Sequence, residues 1–145
     1  MIKTLLVALD DSSRAAGVLA SATEVAERFD ARMILYRAIT IPPEFPAAAH
    51  SSHADPLDAA LHRSAVAALR ALSAGNLRAS LEPPVIGTGQ PWRAIVEVAD
   101  QLQVDLIVIG SHGYHGLDRI LGTTAGKVAN HAHRNVLIVH AEPAR

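Results

Sequence analysis

Cysteine is absent from this sequence of 145 residues, which excludes disulfide bonds, thiol catalysis and cysteine-ligated metal sites. Aromatic residues are also scarce, at 3% of the chain, whereas hydrophobic residues make up 50%. The core must therefore consist mainly of aliphatic and alanine side chains, which suits closely packed layers of helices on a sheet.

No charge of one sign dominates, because acidic and basic residues are mixed along the chain and the formal net charge is -1. This balance gives no electrostatic footprint for a nucleic acid or an anionic membrane. No apolar run approaches the roughly 20 residues of a membrane span. The first run meets Asp10 and Asp11 after about six residues, too early for a signal peptide. We expect one cytoplasmic domain over residues 1–145, with no nucleic-acid or membrane partner.

Five short apolar runs predict β-strands, over residues 5–9, 33–39, 81–86, 106–109 and 136–139. They are mostly continuous rather than alternating, as expected when helices cover both faces of a parallel sheet. Pro83 and Pro84 fall inside the third run, and neither can donate a hydrogen bond to a neighbouring strand. The third strand is therefore predicted at an edge of the sheet.

Stretches with a helical period separate these runs. Asp11 and Ser12 are candidate N-caps of a first helix, whose apolar residues recur at steps of three and four from Ala15 to Phe29. Pro91 suits the first turn of a third helix, and Gly122 precedes a fourth. The alternation predicts an α/β fold: an open twisted sheet of five parallel strands, in the order 3-2-1-4-5, with helices on both faces.

The segment after the fourth strand carries the clearest sign of a ligand site, because ligands bind beyond the carboxyl ends of such strands. Gly110 and Gly113 leave backbone N–H groups unobstructed. A helix that begins at Gly122 or Thr123 adds free N–H groups and the positive end of its dipole, and Thr124 adds a hydroxyl. The pattern predicts a seat for an anion such as phosphate. No P-loop or dinucleotide signature is present, which argues against a P-loop kinase and a hydride-transfer enzyme.

Several of these motifs, in this order, resemble the universal stress protein family. The resemblance covers nearly the whole chain and implies a Rossmann-like fold of the adenine nucleotide alpha hydrolase type. The matching segments are the first strand ending at Asp10, the strand and glycine pair from Asp105 to Gly113, the Gly89-Gln90-Pro91 turn, the Gly122-Thr123 pair and the final strand from Asn135 to Val139.

The resemblance also implies a cofactor, ATP with or without Mg²⁺, and a set of binding residues. It assigns adenosine contacts to Ala8, Asp10 and Ala38, a strand-end contact to Ile109, and ribose and phosphate contacts to Gly110, Gly113, Gly122, Thr123 and Thr124. Eight residues separate Gly113 from Gly122, one fewer than in the ATP-binding pattern. The missing residue shortens this loop by up to about 3.5 Å.

Three functions stay open from the sequence. The first is an ATP-binding sensor or switch in a stress response, working as a homodimer through the last strand, Val136 to His140. The second is a dimeric interaction module of the same fold that binds no nucleotide. The third is a slow adenine-nucleotide hydrolase. No nucleophile, base and orienting residue form a catalytic set, so no catalytic residue is predicted. Among the eight histidines, His131 and His133 are two residues apart, a poor spacing for ligands on one helix face, and neither this pair nor His50 and His53 has a cysteine or glutamate beside it, so no metal site is predicted.

Overall fold

The computed structural model describes residues 1–39, 56–75, 79–111 and 122–145. Within these ranges, strands and helices alternate along the chain. The elements are β1 (Thr4–Ala8), α1 (Ala15–Phe29), β2 (Arg32–Ile39), α2 (Pro56–Ser73), β3 (Ser80–Leu81), β4 (Val85–Thr88), α3 (Pro91–Gln101), β5 (Leu106–Gly110), α4 (Thr123–His131) and β6 (Asn135–Val139).

The strands form a parallel sheet in the order β3-β2-β1-β5-β6, with β4 also paired to β2. The predicted order is confirmed, and the third predicted strand lies at the edge. It is split into β3 and β4, which occupy successive positions along β2. The Glu82 N–H still donates to the Met33 carbonyl at 2.9 Å, and the ladder then breaks at Pro83 and Pro84, which have no N–H.

The core has two layers, one on each face of the sheet, because alternate side chains of a strand point to opposite faces. On β1, Leu5 and Val7 pack with α1 and the buried Leu69 of α2. Leu6 and Ala8 pack on the other face with α3 and α4. All five residues of β1 are buried, as a central strand covered on both faces requires.

Two predicted details of α1 are wrong. The helix begins after Arg14, and neither Asp11 nor Ser12 occupies the N-cap position. Ser12 instead accepts a hydrogen bond at its Oγ from the Arg14 N–H, at 3.3 Å, within the preceding turn. Phe29, the last residue of α1, is 48% exposed, and the buried stripe of this helix ends at Ala26.

The chain that follows β6 returns to the start of α1. Ala141 is buried in the core layer of that helix, and the Ala144 N–H donates to the Ser13 carbonyl at 2.9 Å. A Cβ placed on Gly17 would lie 2.8 Å from the Cβ of Ala141, so this contact needs a glycine. The segment from Ala141 to Ala144 therefore packs directly against the first turns of α1.

Candidate functional site

A cavity of about 340 Å³ lies at the carboxyl ends of the central strands. Its size falls in the range of small-molecule sites, roughly 300–1,000 Å³. Three neighbouring strands border it: Ala8, the last residue of β1, is paired with Tyr36 on one side and with Ile109 on the other, and β2 continues to Ile39. The walls continue into α1, α2, the first residues of α3 and α4, and Ala141.

Seven of the nine predicted binding residues line this cavity. They are Ala8, Asp10, Ala38, Ile109, Gly110, Gly122 and Thr124. Thr123 does not line it, because Thr123 and Thr124 are adjacent on a helix and Thr123 is the more exposed of the two. Gly113 and the shortened loop lie outside the described residues.

The turn between β1 and α1 is held by its own side chains. The Ser12 N–H donates to Asp10 Oδ1 at 3.0 Å, which fixes the carboxylate at the cavity wall. Asp11 forms an ion pair with Arg37, with 3.6 Å between the Asp11 Oδ2 and an Arg37 Nη nitrogen. Asp10 thus serves the local turn and the cavity at the same time.

The end of β5 and the start of α4 are joined by one short hydrogen bond. The Gly122 N–H donates to the Ser111 carbonyl at 2.7 Å, and the Ser111 N–H donates to the Val139 carbonyl at 2.9 Å. These bonds bring the first turn of α4 to the cavity without any side-chain cap at Gly122. The amides that follow Gly122 keep the unsatisfied character of a helix start, and Thr124 adds its hydroxyl to the wall.

Gly110 lies under α1 at the same end of the cavity. A Cβ at this position would lie 3.1 Å from Cγ2 of Val18, a tight contact that would require the valine side chain to shift by a few tenths of an ångström. The close approach keeps this wall free of a side chain from β5, so a ligand can approach the backbone there.

Two arginines in the cavity wall were not predicted from the sequence. Arg37, on β2, is paired with Asp11, whereas Arg14 forms no ion pair within the described ranges. The Nε of Arg14 is buried and has no hydrogen-bond partner there. The available signal was helical spacing, because Arg14 lies four residues before the buried Val18.

Tyr36 borders the cavity from the face of the sheet that α3 and α4 cover, and it is 1% exposed. Burial, with a smaller contribution from the charge of Glu97, raises the pKa of its phenol to about 12. Its hydroxyl is buried without a hydrogen-bond partner among the described residues. Gly87, on the neighbouring β4, makes room for the ring.

Lys127, His131 and His133 do not line the cavity. Lys127 sits 6.0 Å from the centroid of the Trp92 ring, and that ring packs against His131 with 4.7 Å between centroids. His133 Nδ1 lies 2.9 Å from Asp100 Oδ2, and this contact, ahead of a hydrogen bond from Arg134, lowers the pKa of Asp100. Over the described ranges, no three histidine, aspartate or glutamate side chains cluster as metal ligands, and no helix is long and apolar enough to cross a membrane.

Comparison with known proteins gives consistent matches. The model of the universal stress protein family matches residues 1–140. "Universal stress protein A homolog 1" of Coxiella burnetii is 31% identical over 140 residues, covering 94% of this chain and 95% of the relative. The structure of universal stress protein UspA from Lactobacillus plantarum is 26% identical, with a TM-score of 0.73 over 94% of this chain and 97% of that one. A universal stress protein in complex with cAMP is 27% identical, with a TM-score of 0.63 over 97% and 98%.

Proposed function

Because the chain belongs to the universal stress protein family, we propose that it binds an adenine nucleotide in the cavity and works as a sensor or switch in a stress response. The observation that carries the proposal is the cavity itself, in which apolar strand ends lie beside hydroxyls and the uncapped start of α4. A relative of similar size and fold was solved with cAMP, which supports an adenine nucleotide as the ligand class.

The chemistry of the wall fits the two parts of a nucleotide. Ala8, Ala38 and Ile109 form an apolar side suited to a base. The Asp10 carboxylate accepts hydrogen bonds and suits a ribose hydroxyl or the adenine amino group. Gly110 and Thr124 lie where backbone amides and the dipole of α4 favour a phosphate. ATP, with Mg²⁺ held by its phosphates, is the ligand that we propose for the full site.

The experiment has two steps. Mass spectrometry of small molecules released from the denatured protein identifies any nucleotide that copurifies. Isothermal titration of the ligand-free protein with AMP, ADP and ATP, each with and without Mg²⁺, then measures affinity. We expect saturable binding of at least one of these nucleotides, and an absence of heat at millimolar concentrations of all three would refute the proposal.

A matched pair of variants ties binding to the cavity. Ala38→Phe places a ring in the half-buried wall beside Asp10, and we expect it to weaken nucleotide binding at least tenfold. Ala129→Phe makes the same change on the exposed surface of α4 and should bind like the native protein. Both variants are checked for native far-UV circular dichroism. Native affinity in Ala38→Phe would place the ligand elsewhere.

The two alternatives predict different outcomes in the same assays. An interaction module without nucleotide gives no thermal shift with ATP and Mg²⁺. A slow hydrolase gives phosphate release that Asp10→Ala abolishes. The sensor proposal expects binding with negligible turnover, because no nucleophile and base were identified from the sequence.

We also propose a homodimer through the edge strand β6. In the described part of the sheet β6 pairs with β5 alone, and Val136 to Val139 are only half-buried despite their apolar side chains. An apolar edge strand with free backbone groups favours pairing with a second copy. Light scattering after size exclusion should give twice the 15.3 kDa of the chain. A monomer at micromolar concentration would contradict this assembly.

A further inference from the structure

Arg14 is the cavity residue whose charge is not balanced by any described carboxylate. Asp11, its closest acidic neighbour in sequence, is paired with Arg37, and Asp10 Oδ1 accepts from the Ser12 N–H. Arg14 is partly buried, and its Nε is withdrawn from water without an acceptor. A guanidinium in this situation loses hydration that an anion would replace with charge-assisted hydrogen bonds.

The position of Arg14 shows which end of the cavity this charge faces. Its carbonyl accepts from the Val18 N–H at 3.1 Å, so Arg14 lies four residues, about 6 Å along the helix axis, before Val18 on the same face. Val18 in turn packs directly over Gly110 at the end of β5. Arg14 therefore lies one turn beyond Val18, towards the start of α1, and it lines the cavity together with Gly110 and Ser111.

The start of α4 reaches the same place from the opposite side. The bond from the Gly122 N–H to the Ser111 carbonyl holds the first turn of α4 next to Ser111. The positive end of this nine-residue helix and Arg14 thus both border the cavity that Gly110 and Ser111 line. The apolar strand ends Ala8 and Ala38 form the other side.

From this arrangement we infer that Arg14 binds the phosphate of the ligand and makes the cavity select nucleotides over nucleosides. The inference rests on the proposed adenine-nucleotide site and adds to it a residue and a chemical preference. Arginine is suited to this contact because its planar donors match phosphate oxygens two at a time. In this chain the preference comes from a side chain of α1, in addition to the backbone amides near β5 and α4.

The test compares adenosine with AMP by isothermal titration, in the native protein and in Arg14→Met. The native protein should bind AMP at least tenfold more tightly than adenosine, in line with hydrogen bonds to a charged group. Arg14→Met should lose about tenfold in AMP affinity while its adenosine affinity stays native. Arg14→Lys, which keeps the charge and loses the planar fork, should recover part of the loss.

Arg28→Met is the matched control. It removes the same charge from the same helix, at a side chain that is 74% exposed and paired only with Glu24. Its AMP and adenosine affinities should both be native. Urea unfolding of both methionine variants separates ligand effects from loss of folded protein.

Each other outcome has a defined meaning. Equal losses of AMP and adenosine affinity in Arg14→Met would show that Arg14 only supports the wall, and native AMP affinity in that variant would show that it is not used. Equal binding of adenosine and AMP by the native protein would overturn the inference and leave the adenosine site standing. If the native protein binds neither compound, and ADP and ATP also fail, the proposed function falls with it.

Discussion

Replacing Gly87 with alanine should destabilise the protein through a single contact with Tyr36. The new Cβ would lie 2.7 Å from Cζ and 2.9 Å from Cε2 of the tyrosine ring, and closer still to its hydroxyl. Carbon atoms pack best about 3.5–4.0 Å apart, so the ring or the strand must move by roughly 1 Å. Tyr36 is 1% exposed and packs in the core layer that contains Ile95 and Ala99, so moving its ring disturbs packed neighbours. Overpacking of this kind costs about 1–3 kcal/mol, and we expect the upper half of that range.

Urea unfolding of four proteins measures the effect: native, Gly87→Ala, Tyr36→Leu and the double variant. Leucine lacks the two ring carbons and the hydroxyl oxygen that the new Cβ would meet, so in that background the alanine should cost less than about 0.5 kcal/mol. Gly75→Ala is the control, because a Cβ there has nothing within 4 Å and should change stability little. An equal penalty for Gly87→Ala with and without the tyrosine ring would refute the reasoning.

Three further predictions concern stability. Tyr36→Phe should remove a loss of stability at alkaline pH. The pKa of the phenol is about 10 in the unfolded chain and about 12 in the folded protein. Between these pH values the unfolded chain binds fewer protons, so the free energy of unfolding of the native protein falls by up to about 2–3 kcal/mol. Urea unfolding at pH 9 and 11 measures this effect, and an equal change in unfolding free energy between the two pH values in both proteins would contradict it. Gln103→Gly should stabilise the protein by about 1 kcal/mol, because Gln103 has a φ of 50°, which glycine adopts at no steric cost. Gln101→Gly, at the last residue of α3, should destabilise it. Asp105 accepts the N–H groups of Lys3 and Thr4, which lower its pKa, so Asp105→Ala should cost about 1–2 kcal/mol at pH 7. That difference should shrink as the pH falls below 3.8 and the native carboxyl protonates, and a difference constant from pH 7 to 2 would exclude the charge as its source.

The order of the sheet was predictable because each strand can be recognised from its local sequence pattern. Continuous apolar runs and helical spacing between them leave few topologies once crossovers are right-handed. The prolines of the third run correctly indicated an edge strand. They also divide that strand into β3 and β4, which the sequence pattern predicted as one strand. A local pattern shows that residues 83 and 84 cannot join a ladder, but not that the chain resumes pairing with the same neighbour at Val85.

The site was predictable where backbone geometry makes it and not where side chains meet across the fold. Gly110 and Gly122 could be named because glycine and a helix start carry their meaning in the sequence. No local sequence pattern identifies Arg14 as a cavity residue, because its position depends on the contact of Val18 with Gly110, nearly a hundred residues away. The choice between Thr123 and Thr124 likewise depends on the rotation of α4 against the sheet, which the packing of Ala125 and Val128 sets.

The wall of the cavity joins Ala8, near the start of the described chain, to Ala141, which follows the last strand. During translation, the early strands therefore emerge from the ribosome long before the residue that completes the enclosure. A nascent chain that stops short of Ala141 lacks part of the wall, so the complete pocket forms only after β6 has paired with β5 and the following residues have packed against Gly17. Under the proposed function, the ligand binds to this complete pocket.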